Sequence, residues 1–211
     1  MVQYRFPVVV LLAFGFKLLC AADWQITGAA GFGMYHPLSI QGSAGTAQAG
    51  IGPRYALSVL GGRQFGQHWA VEGGWGFQDG DFEISSGGTK TAFDANAHSF
   101  HGDLVWYARK REASWRPYFV GGAGVKLYHG IEEVRPRPLA QFGAFQDGVD
   151  ARPMVTFGGG LEKGIGAHWA LRLDLRDQAT PFPNSVIVPA PGNTINGWLN
   201  DFVVTFGITL R

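Results

Sequence analysis

Apolar and polar residues alternate with a period of two along much of this chain. The clearest segment spans residues 169–176, in which the alternate positions are apolar: Trp169, Leu171, Leu173 and Leu175. Arg172, Asp174 and Arg176 lie between them. Because successive side chains of a β-strand point to opposite faces, this pattern predicts a strand with one apolar and one polar face.

The same alternation, clearer in some segments than in others, predicts eight strands. They lie at residues 24–36, 53–63, 69–78, 100–107, 116–129, 152–163, 169–176 and 201–210. Beyond the N-terminus no segment has a convincing helical period, and the frequent glycines would each destabilise a helix by about 1 kcal/mol relative to alanine.

The connections between these strands alternate in length. Three are short, at residues 62–68, 110–115 and 164–168, and four are long, at residues 37–52, 79–96, 130–150 and 178–197. Outer-membrane barrels have short periplasmic turns and longer extracellular loops. The pattern therefore predicts an all-β fold, an eight-stranded antiparallel up-and-down transmembrane β-barrel with both termini in the periplasm and four external loops.

Tryptophans fall beside the chain start and the short connections. Trp24, Trp69, Trp115 and Trp169 all occupy such positions. Amphipathic indole rings favour the interface between lipid and water, so these four are predicted to form the periplasmic aromatic girdle. A second girdle near the long connections is expected from Tyr35, Trp75, Phe77 and Trp198.

The N-terminus has the layout of a secretory signal peptide. Residues 1–5 carry one positive charge, residues 6–19 form an apolar run interrupted by Lys17, and Cys20-Ala21-Ala22 precedes Asp23. The run is too short for a transmembrane helix, which needs about 20 residues. We therefore predict a signal peptide at residues 1–22 and a barrel domain at residues 23–211.

Composition agrees with export to a membrane. Charged residues make up 16% and aromatic residues 14% of the chain, and 32 of its residues are glycine, whereas soluble domains average about 25% charged residues. Cleavage after Ala22 would remove the only cysteine and two cations but no acid, so the formal charge would change from +1 to −1. Such a balance argues against a nucleic-acid partner.

If the apolar faces contact lipid, the opposite faces line the lumen. These faces carry charges of both signs: Arg54, Glu72, Asp103, Lys126, Glu162, Arg172, Asp174 and Arg176. An eight-stranded barrel has an interior just wide enough for side chains, and buried charges must be paired. We expect an ion-pair network that plugs the lumen, with a location in water at the rim as an equal alternative for Arg54 and Arg176.

Catalytic and metal-binding patterns are weak. Ser99, His101 and Asp103 share one strand face, so a surface hydrolase acting on lipid A is one alternative. His98 and His101 face opposite sides of a strand and do not form a chelating pair. The chain has no nucleotide-binding glycine motif. No enzyme activity, metal or other cofactor is predicted.

Several segments resemble the small eight-stranded outer-membrane proteins of the OmpA-type barrel and opacity-antigen group. They are residues 116–125 (RPYFVGGAGV), residues 157–162 (FGGGLE) and the terminal strand, residues 202–210. The resemblance implies the same fold and insertion by the barrel-assembly machinery. This chain departs from the group at its end, where Leu210 and Arg211 replace the usual terminal aromatic residue.

The sequence thus predicts a non-enzymatic protein in the outer membrane of a Gram-negative-type bacterium, acting as a surface anchor whose external loops mediate recognition or adhesion. A narrow channel for small or apolar solutes is the first alternative, and the hydrolase is the second. The expected partners are outer-membrane lipid, lipopolysaccharide and a surface ligand, and the expected state is a monomer. The basic, proline-rich segment 135–138 is a candidate contact for lipopolysaccharide.

Overall fold

A computed structural model of the protein describes residues 24–42, 45–131 and 139–211. The predicted signal peptide and segment 135–138 lie outside these residues. Within the described ranges, no helix is long and apolar enough to cross a membrane.

Eight long strands of the described residues pair into a closed antiparallel barrel. With all strands numbered in chain order, they are β1 (Trp24–Tyr35), β4 (Arg54–Phe65), β5 (Trp69–Asp79), β8 (Ala95–Tyr107), β9 (Trp115–Gly130), β11 (Gly148–Gly164), β12 (Trp169–Pro181) and β15 (Trp198–Leu210). Their order around the barrel is β1-β15-β12-β11-β9-β8-β5-β4, and β4 closes on β1. The predicted eight-stranded antiparallel barrel is confirmed.

The two faces of the barrel wall differ as the alternation predicts. Large apolar side chains cover the outside; Phe32 and Phe119, for example, are 67% and 65% exposed. Small and polar residues alternate with them and point inward. β1 begins and β15 ends at the barrel end that carries the short connections, which we call the turn end.

Several strands extend further than predicted at the opposite end. β8 begins at Ala95 rather than at residue 100, and β12 continues to Pro181 rather than to residue 176. In these extensions both faces of the strand are shielded from solvent. Polar and apolar residues therefore no longer alternate there. β9 and β11 pair continuously from Gly130 and Gly148 to Trp115 and Lys163.

The four long connections, predicted to be loops, contain further strands. A five-stranded sheet of order β14-β2-β3-β6-β7 and a two-stranded sheet of β10 and β13 occupy the described parts of these connections. The strands are β2 (Leu38–Gly42), β3 (Gly45–Ile51), β6 (Phe82–Ser86), β7 (Thr89–Phe93), β10 (Gly143–Phe145), β13 (Ile187–Pro189) and β14 (Thr194–Ile195). We call this assembly the cap, and its end of the barrel the cap end.

The cap has an apolar core of its own. It includes Ile40, Ile84, Phe82, Phe93, Phe145 and Phe182, all at most 5% exposed. The core continues into the barrel through Ala95, Ala97, Tyr128 and Leu199. The connections fold together because each has an apolar face that the others bury. The folded cap covers the mouth of the lumen.

Candidate functional site

The lumen gathers charged side chains from many strands. Six of the predicted lumen residues are buried inside the barrel, with at most 5% of each residue exposed: Glu72, Asp103, Lys126, Glu162, Arg172 and Asp174. Arg176, for which the rim was an equal alternative, is also buried there. Each lies at an inward position of its strand, which explains how residues far apart in sequence meet.

The centre of the lumen is built around Arg172 on β12. Its guanidinium donates two hydrogen bonds to the carboxylate of Glu72 on β5, of 2.7 and 2.9 Å. It also donates hydrogen bonds to the Tyr118 hydroxyl, at 2.9 Å, and to Asp174, at 3.0 Å. Charge-assisted and bidentate hydrogen bonds of this kind are the strong ones.

Asp174 and Arg176 extend this network towards β8. Arg176 Nε donates to Asp174 Oδ1 at 2.7 Å, and Arg176 Nη1 donates to Asp103. Asp103 Oδ2 also lies 2.8 Å from His101 Nδ1. We call Glu72, Asp103, Arg172, Asp174 and Arg176 the central network.

Inward-facing glycines make room for these side chains. A Cβ atom at Gly122 would collide with the Asp103 carboxylate, and one at Gly160 would collide with the Tyr118 hydroxyl. The glycine-rich segments of β9 and β11 therefore place small residues where large polar groups need space.

A second cluster lies at the turn end of the lumen. Arg116 Nη1 donates to Glu162 Oε1 at 3.2 Å, and Arg211 pairs with the same carboxylate. The Arg116 guanidinium also lies 3.7 Å from the centre of the Tyr107 ring, a cation–π contact that is more favourable away from water.

Lys126 occupies the lumen towards the cap end. Its ammonium group is fully buried, pairs with Asp201 and donates to Gln78 Oε1 at 2.7 Å and Gln178 Oε1 at 2.9 Å. The Tyr35 ring centre lies 4.8 Å away. The three donors of the ammonium group are thus matched by three oxygen acceptors.

Little space remains between the Lys126 cluster and the central network. A cavity there has a volume of about 30 Å³ and is lined by residues that include Ser99, His101, Arg176 and Gln178. Such a volume holds one or two water molecules. This cavity has no room for a larger solute.

Arg54 does not belong to this network. It occupies an inward position at the first residue of β4, where the lumen opens, and its side chain is 45% exposed. There it pairs with Asp79 at 3.0 Å and Asp81 at 2.9 Å. Its position at the strand end places it in water at the rim, which is the second of the two locations that the sequence left open for Arg54.

The residues of the hydrolase alternative also lie inside the lumen. Ser99 is 4% exposed, and the side chains of His101 and Asp103 are 3% and 0% exposed. His98 faces outward and stacks on Trp75. No group of three or more metal-ligating side chains occurs in the described residues.

The four predicted girdle tryptophans lie at the turn end and are 42–48% exposed: Trp24, Trp69, Trp115 and Trp169. Trp106, which was not predicted to belong to the girdle, stacks on Phe119 beside them. Tyr35 was expected in the second girdle but points into the lumen, where its hydroxyl donates to Gln78 at 2.9 Å.

Several further lumen residues were not predicted from the sequence. Asp201, Gln78, Gln178 and Tyr118 complete the clusters described above. Asp201 alternates with Phe202 and Val204, so its inward direction was detectable from the sequence. The glutamines and the tyrosine carry no charge that would have marked them.

A search of solved structures found outer-membrane barrels of similar length. Neisserial surface protein A superimposes with a TM-score of 0.54 at 8% identity, over 90% of this chain and 97% of that protein. The outer membrane protein OprG from Pseudomonas aeruginosa superimposes with a TM-score of 0.57 at 15% identity, over 90% and 95%. These likenesses confirm at the level of fold the resemblance to small outer-membrane barrels. No family model matches the chain, and a search of curated proteins found no match.

Proposed function

We propose that this protein is a non-enzymatic outer-membrane surface protein, in which the barrel is a closed anchor and the cap is the recognition element. The folded structure of the cap is the observation on which this proposal rests. Its four separate connections fold into two sheets around one apolar core. A rigid core of this kind holds an outer surface in a fixed shape, which recognition needs and simple membrane anchoring does not.

The outer face of the five-stranded cap sheet has the polar side chains that a polar ligand would need. Ser39, Gln48, Ser85 and Lys90 pair in register across four strands. They help to line a groove of about 550 Å³, together with Thr46 and Thr89. Hydroxyl, amide and ammonium groups can exchange hydrogen bonds with a hydroxyl-rich ligand, and we propose a surface glycan as the ligand class.

The lumen supports a closed anchor rather than a channel. The central network joins β5, β8 and β12 by direct hydrogen bonds, and the adjoining cavity holds only a few atoms. The cap core covers the mouth above it. Movement of a solute through the barrel would require these buried pairs to separate.

Burial of Ser99 and His101 supports the non-enzymatic assignment. A lipid substrate reaches the outside of the barrel wall, whereas both side chains face the lumen. The adjoining cavity of about 30 Å³ has no room for an ester and its acyl chain.

The exposed apolar belt supports placement in the outer membrane, with the turn end and both termini in the periplasm. Each of the eight strands has outward apolar side chains that are 38–67% exposed, and tryptophans concentrate at the turn end. We propose that the barrel-assembly machinery inserts the protein and that the protein is a monomer. We also propose that lipopolysaccharide surrounds the cap end of the barrel.

Binding to a glycan array tests the recognition role. The mature protein in lipid nanodiscs is expected to bind a subset of immobilised bacterial or host glycans. Combining Gln48→Ala with Ser85→Ala should weaken that binding at least tenfold, and the matched Ser114→Ala change at the turn end should not. Absence of glycan binding by the wild-type protein would overturn the ligand class.

Gel migration tests the anchor separately. Folded barrels resist SDS until they are heated, so unboiled and boiled samples should migrate differently. Identical migration, together with recovery of the protein in the periplasmic fraction, would contradict the outer-membrane assignment.

A further inference from the structure

Charged residues are rare on the outward face of the barrel and are separated by sign. Among the outward positions of the eight described barrel strands, only four residues carry a charge. They are Arg63 and Lys163 at the turn end, and Asp79 and Asp177 at the cap end. The lipid-facing wall therefore has a cationic edge and an acidic edge.

The cations are accessible, whereas the acids are engaged. Arg63 and Lys163 are exposed and have no ion pair within the described residues. Lys163 Nζ lies 4.7 Å from the centre of the Trp115 ring, in the aromatic girdle. By contrast, Asp79 pairs with Arg54 at 3.0 Å, and Asp177 accepts a hydrogen bond from Asn200 at 2.6 Å.

The cationic edge covers one half of the barrel. Arg63 lies on β4 and Lys163 on β11, which are four strands apart in the order β4-β5-β8-β9-β11. Between these two strands, the exposed connection 108–114 joins β8 to β9 at the turn end. It contributes three cations, Arg109, Lys110 and Arg111, and a single acid, Glu112. The other half of the wall, formed by β12, β15 and β1, has no outward lysine or arginine in its described strands.

A shallow trough adjoins this edge on the membrane side. Gly61, Gly73, Gly102 and Ala123 pair in register on β4, β5, β8 and β9, and all face outward. A Cβ atom at Gly61 or Gly102 would meet no atom within 4 Å. Gly61 lies two residues before Arg63 on the same outward face of β4. The trough therefore lies next to Arg63, on the membrane side of that residue.

We propose that the β4–β11 half of the turn end binds anionic phospholipids of the periplasmic leaflet. Arg63 and Lys163 would each hold the phosphate of one lipid, because guanidinium and ammonium groups form short hydrogen bonds to phosphate oxygens. At Arg63 the acyl chains would lie over the glycine trough. This inference rests on the proposed placement of the turn end in the periplasmic leaflet of the outer membrane.

Tryptophan fluorescence tests the inference, since Trp115 lies beside Lys163. The refolded protein is placed in phosphatidylcholine vesicles containing a fixed fraction of brominated phosphatidylglycerol or of brominated phosphatidylcholine, and quenching is compared. Wild type should favour phosphatidylglycerol. Each cation near an anionic lipid surface contributes roughly a fivefold preference, so the Arg63→Gln/Lys163→Gln double variant should lose most of it.

Lys90→Gln provides the matched control, because it removes one cation from the cap, away from the lipid-facing wall. It should leave the preference unchanged. Equal quenching by both brominated lipids in wild type, or the same loss in Lys90→Gln, would overturn the inference. A protein that inserts and is heat-modifiable yet shows no preference refutes the lipid site alone, whereas failure to insert refutes the outer-membrane assignment itself.

Discussion

Arg172 and Glu72 stand on opposite walls of the barrel and join across the lumen. Their strands, β12 and β5, are separated by three others in either direction around the barrel. Two hydrogen bonds of 2.7 and 2.9 Å nevertheless link the guanidinium and the carboxylate. One ion pair therefore spans the lumen from wall to wall.

Replacing Glu72 by glutamine should destabilise the barrel by about 3–5 kcal/mol, because it leaves Arg172 buried with only part of its compensating charge. Urea unfolding in lipid vesicles, followed by tryptophan fluorescence, measures the loss. The matched control is Glu83→Gln, which breaks the exposed pair with Lys90 and should cost no more than about 1 kcal/mol. The double replacement Glu72→Leu/Arg172→Met should cost less than Glu72→Gln, since both charges of the pair are removed together and Asp174 keeps its pair with Arg176. Equal losses for Glu72→Gln and Glu83→Gln would show that the cross-lumen pair contributes little.

Wild-type protein in planar bilayers should show no stepwise conductance at neutral pH. The triple variant Glu72→Ala/Arg172→Ala/Arg176→Ala removes three large side chains from the lumen and should produce small, discrete openings. Lys163→Ala, on the outer wall, is the control and should remain silent. Stepwise currents from wild type itself would favour the channel alternative over the closed anchor.

Gly160→Ala should destabilise the barrel by about 1–3 kcal/mol, the usual cost of adding volume to a packed interior. The added methyl group would collide with the backbone carbonyl oxygen of Leu173 and with the Tyr118 hydroxyl, which donates to Asp174 at 2.8 Å. Gly102→Ala makes the same chemical change on the outward face, where no atom lies within 4 Å. Urea unfolding should separate the two variants, and equal stability would contradict the steric account.

Phe82→Ala should loosen the cap while leaving the barrel intact. Phe82 is 1% exposed in the cap core, and such truncations cost about 3–5 kcal/mol. Limited proteolysis should cut the cap of this variant faster, while heat-modifiable migration stays unchanged. Ser85→Ala, on the outer face of the same strand, should not alter the proteolysis rate. Loss of heat modification in Phe82→Ala would mean that cap and barrel do not unfold separately.

Acidic pH should stabilise the cap through Asp81, which lies between β5 and β6. Burial raises the pKa of Asp81 above its ordinary value; Arg54 opposes this shift, whereas Asp94, Glu83 and Asp79 reinforce it. A raised folded-state pKa means that the folded protein holds this proton more tightly than the unfolded chain. The contribution of Asp81 to the stability of the cap therefore becomes more favourable as pH falls through its folded-state pKa. That stabilisation is lost as pH rises.

Hydrogen exchange of the β6 and β7 amides, corrected for intrinsic rates, measures this effect between pH 4 and pH 7. Asp81→Asn should show a shallower pH dependence of protection than wild type. Ser86→Ala, in the same sheet, should retain the wild-type slope. An unchanged slope in Asp81→Asn would exclude this carboxyl as the source.

The sequence by itself determined the barrel. Alternation such as that of Leu171 and Leu173 with Arg172 and Asp174 depends only on the two-residue period of a strand, and connection lengths then gave the up-and-down order. The inward direction of each lumen charge follows from the same local rule. These features were predictable because each depends on residues close together in the chain.

Tertiary structure decided which inward charges meet. Arg172 and Glu72 are 100 positions apart, and their pairing depends on strand order and on the stagger of neighbouring strands around the barrel. Arg54 obeys the same alternation yet lies in water, because its height along the barrel axis, rather than its direction, determines its burial.

The cap likewise emerges only in three dimensions. Ile40, Ile84 and Phe145 come from three separate connections whose short apolar segments look like ordinary loop residues. None of these segments can bury its apolar face alone, so no single one predicts a strand. They form a core because the closed barrel holds all four connections at one end, where each covers the apolar side chains of the others.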